Sequence, residues 1–257
     1  MAETAAVGTQ APPPDAAPPS ASRAARWPHL WKAYLALGAV LVALYYLSPL
    51  RGNGALFNLI GLSPAIAIVV AVRLHKPKSP SAWYLFAAGH VMFVIGDAFY
   101  YSYPLVTNQE LPFPSVGDVF YLAVYPALAG GLLVLIHRRN PRGDRASLID
   151  ALIITTGLGL LSWVFLMEPY AHDASLSLLD RGVLIAFPLM DVLLLAVAMR
   201  LFVDNGMRGP SLYLLLFSIV SLLATDAVYN LASLNGTYDE GSLLDIGWAA
   251  YYLLWGA

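Results

Sequence analysis

Uncharged apolar stretches of about 20 residues recur along this chain, and nearly all of its lysine and arginine falls in the short gaps between them. In lipid, every backbone N–H and C=O must be satisfied inside the protein, so a segment of this kind crosses the bilayer as a helix. The pattern predicts spans at Trp31–Leu50, Ala55–Leu74, Ala82–Tyr103, Val116–Ile136, Ser147–Pro169, Gly182–Phe202 and Ser211–Leu234, with an eighth starting at Asp245. Composition agrees. Hydrophobic residues make up 59% of the chain and charged residues 12%, where a soluble domain carries about 25% charged residues. The expected fold class is an all-α membrane protein, an eight-helix transmembrane bundle embedded in the lipid bilayer. Residues 1–26, with Pro12-Pro13-Pro14 and Pro18-Pro19, have too little apolar surface to offset their ordering entropy and read as a disordered tail. Residues 27–257 read as the transmembrane domain, with helices one to four ending near 140 and helices five to eight starting near 146. The first apolar run starts too late and runs too long for a signal peptide.

The basic residues orient the bundle. With the N-terminus in the cytoplasm, 12 of the 14 lysines and arginines lie on the cytoplasmic side, and Arg51 and Arg181 lie outside. The positive-inside rule therefore predicts a multi-pass protein of the cell's inner (cytoplasmic) membrane with a cytoplasmic N-terminus. A missed or extra span would scramble that alternation.

The chain also reads as a tandem duplication of a four-helix unit. Ala71-Val72-Arg73-Leu74 matches Ala198-Met199-Arg200-Leu201, 127 positions later. Gly96-Asp97-Ala98-Phe99-Tyr100 matches Thr225-Asp226-Ala227-Val228-Tyr229 at an offset of 129. Ser115, Asp118 and Tyr125 match Ser242, Asp245 and Tyr252, again 127 later. Four spans per unit give both halves the same topology, as in parallel repeats related by an axis along the membrane normal. By analogy with helix four, helix eight is expected to run to about position 265 and lead into the cytoplasm.

Acidic residues inside spans are costly and are functional candidates by default. Asp118, Asp245 and Asp150 each follow a serine by three (Ser115, Ser242 and Ser147), the spacing of a capping box at a helix N-terminus, where negative charge suits the dipole. They carry either that structural role or a functional one. Asp97, Asp191 and Asp226 have no cap to explain them. They read either as hydrogen-bonded helix glue or as a site for a small ligand, a cation or a proton, converging on one cavity in the outer half of the bundle. Tyr100 follows Asp97 by three and Tyr229 follows Asp226 by three, so each shares a helix face with its acid. Tyr121 and Tyr125 form a stripe with Asp118, and Tyr125 completes the candidate set. A phenol can donate to a carboxylate while its ring packs on apolar neighbours; the competing explanation is the interfacial aromatic belt. His90, one heptad before Asp97, reads either as a hydrogen bonder between helices or as part of the site. Gly130-Gly131 and Gly157-x-Gly159 read as close-packing positions.

Several function classes fall away. The chain has no cysteine, so thiolate catalysis and Cys-based metal sites are excluded. No two of its five histidines share metal-ligand spacing on one helix. It contains no nucleophile elbow, P-loop or dinucleotide turn. Its net charge of −2 gives no basis for nucleic-acid binding. No catalytic residue and no cofactor is expected in this segment.

One pattern has a family likeness. It comprises Pro114-Ser115-x-x-Asp118-x-x-Tyr121-Leu122-x-x-Tyr125-Pro126, Arg138-Arg139, Leu148-Ile149-Asp150-Ala151 and Trp163-x-Phe165-Leu166. It continues in Pro188-x-x-Asp191, Asp226-x-x-Tyr229 and Asp245-x-Gly247-Trp248-x-x-x-Tyr252. Together these resemble the N-terminal membrane region of actinobacterial GGDEF/EAL signalling proteins. The resemblance covers about residues 30–257 and implies a sensory input module for cyclic-di-GMP synthesis or breakdown, working as a homodimer if paired output domains require one. The GGDEF and EAL motifs are absent from this sequence. The alternative expectation is a small cation- or proton-coupled transporter that uses the same intramembrane acids.

Overall fold

The computed structural model describes residues 29–47, 54–109, 111–139, 145–203, 209–239 and 241–257. Among these, every regular element is helical. α1 is Leu30–Tyr46, α2 Gly54–His75, α3 Pro80–Thr107 and α4 Val116–Arg139. α5 runs through three consecutive segments: Arg145–Ser162, a π-helical turn at Trp163–Met167, and Glu168–His172. α6 is Leu178–Val203, α7 Pro210–Leu234 and α8 Asp245–Gly256. The predicted tail at 1–26 lies outside the described residues.

Six helices, α2 to α7, are long and apolar enough to cross a membrane. The 17-residue α1 and the 12-residue α8 are apolar but shorter, about 25 and 18 Å at 1.5 Å per residue against a hydrocarbon core of about 30 Å. Leu37, Val40 and Leu44 on α1, Leu59, Ile66 and Val70 on α2, and Ile153, Leu160 and Phe165 on α5 all point outward. Apolar surface this continuous exceeds what a soluble monomer exposes and is the lipid-facing surface of a multi-pass membrane protein. Only 11% of the apolar stretch of α5 is buried, against 39% for α2, α3 and α4, so α5 lies on the rim.

The helix ends follow local chemistry. Asp118 Oδ2 accepts hydrogen bonds from the Ser115 backbone N–H (2.6 Å) and Ser115 Oγ (3.0 Å), closing the predicted box at the start of α4. At α8 the arrangement differs. Asp245 Oδ2 accepts from the Gly241 N–H at 3.0 Å, while Ser242 supplies a carbonyl to the Tyr46 hydroxyl. The expected cap at Ser147 is corrected: α5 starts at Arg145, so Ser147 stands inside the first turn, and Asp150 is exposed. The predicted end of span five at Pro169 is also too early. Proline lacks an N–H, and just before it the helix widens, so that the Glu168 N–H reaches the Trp163 carbonyl five residues back and the chain stays helical to His172. Pro64, Pro126 and Pro188 sit inside α2, α4 and α6 as expected, and Pro104 inside α3, which runs past Tyr103.

α3 packs between α2 and α4, and α4 also packs against α6. α8 is inserted against α7, α2 and α1, which buries Tyr251 and Tyr252 completely beside Tyr45, Phe57 and Phe86. Close approaches use glycine. A Cβ at Gly131 would strike the buried Phe86 ring, and one at Gly159 would sit 3.2 Å from Val192 Cγ1. Gly157 has nothing within 4 Å, so the expected packing role holds at Gly131 and Gly159 and fails at Gly157. α3 and α7 end, and α4, α6 and α8 begin, at the same end of the bundle, opposite the basic stretch at 73–78 and Arg138.

Candidate functional site

A cavity of about 320 Å³ lies at that end of the bundle. Three carboxyl side chains line it: Asp97 from α3, Asp118 from α4 and Asp226 from α7. Rings make up much of the rest, among them Phe57, Phe93, Tyr100, Tyr121, Tyr125 and Phe187. Tyr229, Tyr238 and Trp248 close one corner. Among the described residues no lysine, arginine or histidine lines it.

Each of the two deep acids is held by two donors. Asp97, 5% exposed, accepts from Tyr121 Oη on α4 at 2.8 Å through Oδ1 and from Tyr252 Oη on α8 at 3.0 Å through Oδ2. Asp226, half-buried, accepts from Trp248 Nε1 on α8 at 2.8 Å through Oδ1 and from Tyr125 Oη on α4 at 3.3 Å through Oδ2. α4 and α8 therefore each supply one donor to each acid. Such sharing ties the helices together, because a buried carboxyl left short of a donor carries the full desolvation penalty.

The expected residues separate into two groups. Asp97, Tyr100, Tyr125, Asp226 and Tyr229 line the cavity. Asp191 on α6 does not line it. It lies behind the wall, buried, within interaction range of Asp226 and Tyr125, and its Oδ1 has no hydrogen-bond partner. His90 is likewise absent from the lining. It is fully buried nearer the middle of α3, with Nδ1 2.8 Å from the Phe86 carbonyl and its ring stacked on Tyr251 at 5.1 Å. The heptad spacing put His90 on the side of α3 that carries Asp97, but seven residues separate them by about 10 Å along the axis, and α8 fills the space beside His90.

Sequence reasoning missed some partners. Tyr252 and Trp248 reach Asp97 and Asp226 from α8. Asp245, expected as a cap, also accepts from Tyr45 Oη on α1 at 3.1 Å and from Tyr238 Oη at 3.3 Å. Burial, and then the neighbouring Asp245 charge, hold the Tyr238 phenol well above its usual range, which keeps it a donor. The offset expected between the two halves carried a signal for two of these: Trp248 and Tyr252 stand 127 positions after Tyr121 and Tyr125. Among the described residues no group of three or more His, Cys, Asp or Glu side chains could hold a metal ion.

No protein-family model, curated protein or solved structure matches this chain.

Proposed function

We propose that this chain is a ligand-sensing membrane module built from two duplicated four-helix halves, and that it controls cyclic-di-GMP synthesis or breakdown in a cytoplasmic domain of the same protein. The observation that carries the reading is the crossed donor scheme around the cavity. Asp97 takes one donor from its own half, Tyr121, and one from the other half, Tyr252. Asp226 takes Trp248 from its own half and Tyr125 from the other. The positions exchange as a two-fold relation between repeats requires: 121 with 248, 125 with 252, 97 with 226. The close helix contacts support the same relation. A Cβ at Gly96 would lie 2.6 Å from the Tyr121 ring, and one at Gly247 would strike Thr225, the residue at the repeat position of Gly96.

A ligand in this cavity touches donors and acceptors from both halves. It changes their relative arrangement to the extent that it binds one arrangement better than the other. The Lys/Arg distribution supports a cytoplasmic N-terminus, which puts the cavity end of the bundle outside and the response end at the cytoplasm. The resemblance of the 114–126 and 245–252 patterns to GGDEF/EAL input regions supports the choice of output.

The test uses the full-length protein in its native membrane, with cellular cyclic-di-GMP as the readout. Asp97→Asn and Asp226→Asn each preserve shape and remove the acid. Both are expected to shift the output level while insertion and abundance stay within about twofold of wild type. Unchanged cyclic-di-GMP in both variants would reject the sensor. Cation flux in proteoliposomes that is lost in the same variants would favour the transporter reading instead.

A further inference from the structure

We infer that the cavity binds an organic ammonium ion, its charged head seated against the Tyr229, Tyr238 and Trp248 rings beside Asp226. This rests on the reading of the cavity as the ligand site and names its ligand class. Three observations converge.

The first is the geometry of the corner. The Tyr229 and Tyr238 rings lie 4.8 Å apart at 83°, Tyr229 and Trp248 5.5 Å apart at 62°, and Tyr238 and Trp248 6.5 Å apart at 80°. In the two closer pairs an edge packs on a neighbouring face, so the rings can offer a cavity ligand the faces left uncovered by that packing. A cation is attracted to ring faces, and aromatic enclosures of this kind favour substituted ammonium groups, whose diffuse charge and apolar surface suit rings better than water does.

The second is charge. Asp97, Asp118 and Asp226 line the cavity with no basic side chain among the described residues. Trp248 joins the two features directly, since its Nε1 donates to Asp226 at 2.8 Å. An anion entering this space meets carboxyl groups and no counter-charge. Behind the wall, the buried Asp191 Oδ1 has no partner of its own and lies beside Asp226. That free oxygen adds to the acceptor character there.

The third is size. A volume of about 320 Å³ equals the liquid volume of about ten waters. A proton or bare metal ion needs far less, and no metal-ligand group exists among the described residues. The cavity suits a molecule with an apolar body as well as a charged head, with Phe57, Phe93 and Phe187 available to the body.

The test is equilibrium binding to the full-length protein in lipid nanodiscs. The probes are choline, tetraethylammonium and 3,3-dimethylbutan-1-ol, the uncharged carbon analogue of choline. Saturable binding of either cation, with the neutral alcohol at least about tenfold weaker than choline, supports the proposal. Tyr229→Leu removes a ring face and keeps apolar volume, and is expected to weaken cation binding about tenfold, whereas Tyr229→Phe keeps the face and stays within about threefold. Equal binding of choline and the alcohol overturns the proposal, as does the absence of saturable binding by both cations in wild type. The two levels fail separately. Cation binding with no effect on cyclic-di-GMP rejects sensing and keeps the ligand class. An output that responds to Asp226→Asn in a protein that binds neither cation rejects the ligand class and keeps sensing.

Discussion

Tyr252→Phe isolates the hydrogen bond that ties α8 to α3. The substitution removes one oxygen and leaves a fully buried ring in place, so packing against Phe57 and Phe93 is preserved. What is lost is the 3.0 Å donor to Asp97 Oδ2. Hydrogen bonds between membrane helices contribute about 0.6 kcal/mol on average and up to about 1.7, because helices separated in the membrane find other partners. Asp97 is 5% exposed and Tyr252 is fully buried, so neither has ready access to water. That puts the cost near the upper end, at about 1.5 kcal/mol. A parallel change, Tyr125→Phe, removes a longer 3.3 Å bond to a half-buried acid, Asp226, and should cost about 0.6 kcal/mol. The assay is reversible unfolding of the purified protein in mixed micelles with increasing SDS, completed by a double-mutant cycle of Tyr252→Phe with Asp97→Asn. The coupling should be at least about 1 kcal/mol. Zero coupling, or a larger loss from Tyr125→Phe than from Tyr252→Phe, would refute the reasoning that the more deeply buried acid depends more on its tyrosine donor.

Other outcomes follow from packing and helix ends. Gly131→Ala should destabilise by about 1–3 kcal/mol because the new methyl meets the buried Phe86 ring, whereas Gly157→Ala, with open space around it, should be neutral or stabilising by up to about 1 kcal/mol through helix propensity; the same unfolding assay separates them. Asp118→Ala removes the acceptor for the Ser115 N–H and should cost about 0.5–2 kcal/mol, read as faster amide exchange in the first turn of α4. The chain has no cysteine, so single reporters are clean: in intact cells a membrane-impermeant maleimide should label Ala174→Cys and leave Lys78→Cys unlabelled, and the reverse pattern would invert the orientation.

Much of this protein was legible in the sequence, and the reason is the solvent. Lipid forces each span to satisfy its own backbone and penalises charge, so apolar length alone marked α2 to α7 to within a few residues. The box at Ser115 and Asp118 was legible because a cap is made within four consecutive residues. So was the convergence of Asp97 and Asp226 on one end of the bundle, since both stand in the C-terminal part of spans that run in the same direction, α3 and α7. The partners of those acids were a different matter. Spacing pointed to Tyr100 and Tyr229, on the same helices as their acids, yet Tyr121, Tyr125, Trp248 and Tyr252 donate to those acids from facing helices. A tyrosine on a helix packed 8–10 Å away points its hydroxyl across the interface at such a carboxyl. Sequence spacing describes one helix. Which helix faces it, at what depth and rotation, is set by the packing of all eight, and that packing carried Tyr252 across 155 residues to Asp97 while turning His90 away from the cavity toward Tyr251.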